Sequence, residues 1–299
     1  MAETTIDAVA PSARAVAVDK PPGYWITVAR RIRRDPVTLF CLVVLSLIVL
    51  AAIFAPFVAP HDPYKTSMLR RLAPMGTPGH LLGTDELGRD LLTRLIYGGR
   101  ISLFMSFTPV VLAFLIGGAL GMTAGFVGGW VNMAIMRTTD VFYAFPSILL
   151  AIAISGAMGA GLVNGLISLT LIFIPPLTRI AESVTTQVRS LPFVEAARAS
   201  GASTFAIIRV HVLSNVVGPV LVYASSLLSV AIVVASGLSF LGLGVSPPEA
   251  DWGLMLNTLR QSIYVAPWNA ALPGAVIFVT CMCFNLLSDG LRQALDIQR

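Results

Sequence analysis

Lys65-Thr66 is the one pair in this chain that could close a phosphate-binding loop. In such a loop backbone N–H groups cradle a nucleotide and the lysine reaches its outer phosphates. The turn needs glycines ahead of the lysine, and here stand His61, Asp62, Pro63 and Tyr64. ATP hydrolysis on this chain is therefore excluded. His61, His80 and His211 fall in loops or at a helix end without a paired nucleophile, which leaves them solvated or capping roles and no triad. Cys41, Cys281 and Cys283 lie in apolar runs and read as small packing residues, the last two on different sides of a helix. No disulfide framework or metal-ligand spacing is visible. Asp140, Arg179, Glu182 and Asp289 fall near the ends of apolar stretches, so no proton or sodium relay is expected within them. The chain is predicted to catalyse nothing.

One stretch is shaped for recognition instead. Glu195-Ala196-Ala197-Arg198-Ala199-Ser200-Gly201-Ala202-Ser203 is a small-residue, partly charged island between long apolar runs. Ser190 can cap a short helix here, with Pro192 in its first turn, where a missing N–H does little harm. Glu195 gains from the helix dipole, the alanines keep one face low, and Gly201 can supply the left-handed residue that ends the helix. Docking into a partner's groove and an ordinary surface helix are both open on these grounds.

The elements around it are membrane spans. Of 299 residues 56% are hydrophobic and 12% charged, with mean hydropathy +0.83, too little charge to cover a soluble surface. The net charge of +5 comes almost wholly from arginine, since Lys20 and Lys65 are the only lysines. It suits an anionic leaflet, and without a basic patch interleaved with aromatics nucleic acid is not an expected partner. Residues 1–22 read as a disordered cytoplasmic tail. Residues 23–60 hold the first span and a segment in which Trp25, Val28 and Ile32 share a face among arginines, either an interfacial helix or a charged flank. Residues 61–100 form an exterior loop, and 101–299 a five-helix core containing a loop at 184–214. About 20 apolar residues make a span, which places six, at 37–59, 101–126, 139–158, 161–181, 215–240 and 271–291. Gly156–Gly165 reads as a tight hairpin, and Pro175-Pro176 predicts a kink or early break.

Arg30, Arg31, Arg33 and Arg34 before the first span hold the N-terminus inside, and six spans return the C-terminus there. The Glu195 island is then cytoplasmic. The loop 60–100 conflicts, because Lys65, Arg70, Arg71, Arg89, Arg94 and Arg100 would lie outside, offset in part by Asp62, Asp85, Glu86 and Asp90.

Three ordered stretches carry a resemblance. Glu195-Ala196-Ala197, three residues, then Gly201 resembles the cytoplasmic "EAA" loop of permease subunits in bacterial ATP-binding-cassette importers, although Ser214 stands where that family's loop ends in proline. Leu82-Gly83-Thr84-Asp85-Glu86-Leu87-Gly88-Arg89-Asp90-Leu91-Leu92-Thr93-Arg94, followed by Gly99-Arg100-Ile101-Ser102-Leu103, is similar to a signature of the C-type permease of dipeptide and oligopeptide importers. So is Leu238-Ser239-Phe240-Leu241-Gly242-Leu243-Gly244-Val245 with Pro247-Pro248 and Asp251-Trp252-Gly253. The physical reading of these stretches stands beside the resemblance. Asp85, Arg89, Asp90 and Arg94 recur at helical spacing, so a short exterior helix capped by Thr84 is expected, either setting the angle of the second span or touching substrate. Alternating Gly and apolar residues before Pro-Pro suit non-helical backbone anchored at the interface by Trp252, serving as an exterior gate or as packing against a second permease.

The resemblance implies an all-α polytopic membrane protein with the type I importer permease fold, six transmembrane helices and a cytoplasmic coupling helix. Glu195, Ala196, Ala197 and Gly201 would dock on an ATPase. Implied partners are a second, homologous permease, two ATP-binding-cassette ATPase subunits and an extracytoplasmic solute-binding protein, in contact with membrane lipid of the bacterial inner membrane. No cofactor is implied on this chain; ATP and magnesium belong to the ATPases. Peptides are the implied cargo, with glutathione, nickel chelates and sugars open within the family. An ion-driven carrier or a non-transporting scaffold are the alternatives from other classes. Gly117, Gly118, Gly121 and Gly125 permit close helix contact, within the chain or across the dimer.

Overall fold

Asp35 starts the first long helix: its carboxylate accepts from the N–H groups of Val37 and Thr38, both at 3.2 Å, and Pro36 fills the first turn, where no N–H is needed. The computed structural model describes residues 31–295; the predicted tail 1–22 and all but the end of the predicted interfacial segment lie outside them. Helix α1, Pro36–Ile53, is broken at Phe54 and continues as α2, Ala55–Val58. Helix α3 runs from Leu91 to Val127, 37 residues, beginning ten positions before the predicted span. At about 1.5 Å per residue it is longer than a hydrocarbon core of about 30 Å is thick, and its first turns, with the loops packed on them, form a rim at one end of the molecule.

The predicted third span is not one rod. Helices α4, Gly129–Tyr143, and α5, Ser147–Met158, meet at 87°. Pro146 at the bend has no N–H to give and disfavours helix at Phe145 before it. Helix α6, Leu162–Arg189, by contrast runs unbroken through Pro175 and Pro176, against the predicted break. Its buried residues, Leu169 and Leu177 at 0% exposure among them, lie along neighbouring helices, whose packing holds what the missing bonds do not. The rest of the chain forms α7, Pro192–Ala199, α8, Thr204–Ile207, and a π turn, Ile208–Val212, that leads into α9, Leu213–Phe240. Helices α10, Trp252–Leu259, and α11, Pro267–Leu295, complete it. Among the described residues five helices are long and apolar enough to cross a membrane, six if the bent pair counts as one span.

A glycine stripe sets how α3 meets α6. A Cβ on Gly117 would lie 2.8 Å from the Ile174 carbonyl oxygen and one on Gly125 2.7 Å from that of Glu182, while one on Gly121 would overlap the Thr178 backbone. These contacts are within the chain, and Gly118 faces open space. Because the touching positions rise together in both helices, α3 and α6 are parallel: Val127 and Arg189 share one end of the molecule, Leu162 and the start of α3 the other. The main core runs between α3, α5, α6 and α9. A second cluster around Trp252, Leu91, Met255 and Ile277 closes the rim end. Cys41, Leu45 and Cys283 pack α1 on α11, with Cys281 only partly buried against the second cluster.

Candidate functional site

At the α6 C-terminal end the island folds as a short helix held by one root. Pro192 sits in the first turn of α7, and Val194 is fully buried in the main core. Glu195, Ala196, Arg198 and Ala199 are exposed and Ala197 is half-buried, so the Val194 root fixes which face the others turn outward. Ser190 does not cap this helix. Leu191 holds the cap position without a side-chain bond, and Ser190 Oγ donates back to the Gln187 carbonyl at 2.9 Å, since a residue whose backbone closes α6 cannot also face the start of α7. Gly201 ends α7 at φ 79°. Its N–H donates to Arg198 O and the Ala202 N–H to Ala197 O, both at 3.1 Å, which is the Schellman closure. Ser203 then caps α8, accepting from Ala206 N–H at 3.3 Å. Ser214, where proline was expected, lets the helix run on, its hydroxyl donating to Val210 O at 2.7 Å. In the segment that follows α7, Phe205 and Val210 are 72% and 60% exposed.

The opposite end is a rim of buried charge. The predicted short helix over 85–94 is absent: Thr84 and Asp90 form an isolated antiparallel bridge, and Thr84 Oγ1 donates to Arg70 O while accepting from Ala73 N–H. The Asp85–Arg89 pair does form, at 2.6 Å, but it closes a turn. Asp85 Oδ1 accepts from the N–H groups of Leu87 and Arg89, each at 2.9 Å, and Gly88 at φ 73° lies against the Ser67 backbone, where no Cβ fits. Gly83 is as tightly confined, under the Ala73 carbonyl, and Asn269 Nδ2 ties both sides of this loop to α11 through Ala73 O and Thr84 O. Asp90, not Thr84, is the helix cap: its Oδ2 accepts from Thr93 N–H at 2.8 Å and its Oδ1 faces His80 Nδ1 at 2.9 Å. Burial pushes the Asp90 carboxyl upward, but the Thr93 and His80 hydrogen bonds, with His61 nearby, outweigh it and hold the carboxyl below its ordinary value.

Arg94, also buried, spends its guanidinium on carbonyls, donating to Pro63 O at 3.1 Å, Pro248 O at 3.4 Å and Glu249 O at 3.1 Å. It thereby pins the 61–67 and 246–250 loops to the top of α3. With Arg89 held by Asp85 and Glu86, and Arg94 Nε 3.4 Å from Asp85, two of the arginines that conflicted with the charge-based orientation are neutralised inside the rim.

Trp252 is not an interfacial anchor. It is 1% exposed, with its ring in the slot opened by Gly98 and Gly99 and its Nε1 donating to Leu95 O at 2.8 Å. Asp251 caps α10 by accepting from Leu254 N–H at 3.1 Å and from Ser102 Oγ at 2.6 Å. Burial dominates there and pushes the carboxyl up. Gly253 presses on the Ser236 backbone and Gly244 on Ser239, while Leu241 is 55% exposed and Gly242 makes the turn at φ 78°. The stretch 241–250 is irregular, as its composition predicts.

Two constellations were not legible in spacing. The ligand atoms of His61, His80 and Asp90 lie within 4.8 Å of one another, a set able to hold a metal ion. His80 is buried in place of the solvated histidine expected. An arginine can only donate, so Arg70 Nη1 at 3.2 Å from His80 Nε2 leaves the His80 proton on Nδ1, facing Asp90. That arrangement is a hydrogen-bonded network with a cation already beside it. At the α4–α5 bend Arg179 Nη2 donates to Asp140 Oδ1 at 2.5 Å and stacks 4.4 Å over Tyr143. Each of the three is half-exposed.

Comparison with known proteins places this architecture. The family model "binding-protein-dependent transport system inner membrane component" matches residues 117–297, and "N-terminal TM domain of oligopeptide transport permease C" matches residues 23–74. A di/tripeptide transport system permease protein of Pseudomonas aeruginosa is 42% identical over 85% of this chain and 86% of its own length. A glutathione transport system permease protein of Pectobacterium atrosepticum is 38% identical over 91% and 90%. Among solved structures, a chain of the MetNI methionine ABC transporter in an inward-facing conformation aligns with TM-score 0.55 at 18% identity, covering 70% of this chain and 98% of that one, a likeness of fold.

Proposed function

Because the chain belongs to the family of binding-protein-dependent transport system inner membrane components, we propose that it forms half of the translocation pathway of an ATP-driven peptide importer. A second, similar permease supplies the other half. Two ATPase subunits, which bind ATP and magnesium, grip α7, and a solute-binding protein delivers peptide to the rim. The observation that carries this reading is the geometry of α7: an exposed eight-residue helix rooted by Val194 and closed by Gly201, with apolar Phe205 and Val210 exposed in the segment that follows it. The N- and C-termini and α7 face the cytoplasm, and the rim, with Leu241, Gly242, Gly244, Trp252 and Gly253, faces outward as the gate or its frame. ATP-driven closure of the ATPases pulls α7, and the packed α3–α6 pair transmits that motion as a rigid body.

Gly201→Val tests the coupling. A Cβ there meets nothing within 4 Å, so the substitution crowds no neighbour; it forbids the left-handed closure. Membrane insertion is expected to persist while ATP-dependent peptide uptake falls at least tenfold, read in proteoliposomes loaded with ATP. Wild-type uptake by this variant would remove the coupling assignment. Uptake that collapses with an uncoupler while ATP is maintained would instead support an ion-driven carrier.

A further inference from the structure

A cavity of about 410 Å³ opens on the rim between α3 and the two loops that Arg94 pins, lined by Tyr64, Tyr97, Arg100, Ile101, Phe104, Glu249 and Ala250. One wall is a single helix face, since residues 97, 100, 101 and 104 recur at the spacing that aligns side chains on α3. The other wall is supplied by Tyr64 and Glu249. Tyr64 follows Pro63, whose carbonyl Arg94 holds, and Glu249 has its own carbonyl in the same grip. Tyr64 Oη donates to Glu249 Oε2 at 3.1 Å, which aims the carboxylate. Arg100 makes no ion pair among the described residues, so the cavity presents one cation and one oriented anion against aromatic walls. A second, largely apolar cavity of about 510 Å³ shares Arg100 and Phe104 and runs on past Val49, Phe107, Leu228 and Phe284.

We propose that the outer cavity is a reception site for zwitterionic short peptides, binding the α-carboxylate at Arg100 and the α-ammonium at Glu249. The apolar trough beneath takes the side chains as the peptide leaves. This rests on the peptide-importer reading above. The pairing of opposite charges decides against an anionic lipid headgroup, which Arg100 would attract but Glu249 would repel. Arg100, Tyr64 and Glu249 are all exposed, and charge-assisted hydrogen bonds from each of the two charges are read as separate contributions from the two ends of the peptide.

The test uses the whole importer in proteoliposomes with its binding protein, and three substrates: a free dipeptide, its C-terminal amide and its N-acetyl derivative. The binding protein is constant, so its own preference cancels in each variant-to-wild-type ratio. Arg100→Gln is expected to lower uptake of the free dipeptide and the N-acetyl form about tenfold and leave the amide within twofold. Glu249→Gln should lower the free dipeptide and the amide and spare the N-acetyl form. A photoreactive benzoyl-phenylalanine at Tyr97 should capture radiolabelled dipeptide during turnover, a readout independent of blocked substrates. Equal losses for all three peptides, the result a lipid site or a structural role would give, overturn the proposal, as does the absence of capture at Tyr97. If the wild-type importer moves no peptide when ATP is supplied, the importer reading falls and this site falls with it. Peptide uptake without end-group discrimination removes the site alone.

Discussion

Asp90 is asked to cap a long helix, hold a buried histidine and stay charged in a crowded rim. Asp90→Ala removes the cap on Thr93 N–H and leaves His80 without its partner. Together these cost about 2–4 kcal/mol, to be read as a loss of thermal stability in detergent. Its pH dependence has a definite sign. The folded carboxyl lies below its ordinary value, so the unfolded chain binds more protons there. The Asp90 contribution is full above about pH 4 and is lost as pH falls through the lowered folded value. Asp251 has the opposite sign. Burial raises its carboxyl, so its contribution is present below about pH 4 and is lost as pH rises through the folded value. Asp251→Asn, which can still accept from Leu254 N–H, is therefore expected to be milder than Asp251→Ala in the same melting assay. Sequence alone marked Asp85, Arg89 and Asp90 as a charged group. It placed them on a short exterior helix because spacing reports which residues can meet, not whether segments distant in sequence will bury them.

At the scale of elements, the α3–α6 contact carries the fold. Gly121 touches the Thr178 backbone, whereas Gly118, three residues earlier, faces nothing within 4 Å. Gly121→Leu must push the two helices apart, and loss of folded protein in the membrane is expected. Gly118→Ala is expected to be neutral or to raise stability by up to about 1 kcal/mol through helix propensity. Equal effects of the two, measured by expression and melting, would contradict the packing. The number and order of spans were readable because runs of about 20 apolar residues have few other uses. The 87° bend was less so, although Pro146 after Phe145 is a signal for it. The paired prolines of α6 misled for the converse reason: local chemistry disfavours the helix there and tertiary packing keeps it.

For the molecule as a whole, the two ends divide the work. The rim is built from buried ion pairs and carbonyls gathered by Arg94, and it joins three segments distant in sequence. The α7 end is a small exposed helix on a single apolar root. The short helix that carries Glu195, Ala196 and Ala197 and ends at Gly201 was legible because its start and stop signals lie within a dozen residues, from Pro192 in its first turn to the Schellman closure at Gly201. The rim cavity was not, because Tyr64 and Glu249 meet Arg100 only when two loops close on α3. The central claim is that α7 is the surface an ATPase grips, and cross-linking tests it most directly. A photoreactive benzoyl-phenylalanine at Ala199, in membranes containing the cognate ATPases, should give an adduct with an ATPase subunit, and the same group at Leu241 on the far end should not. An adduct from Leu241, or none from Ala199 while the complex still imports peptide, would contradict the account.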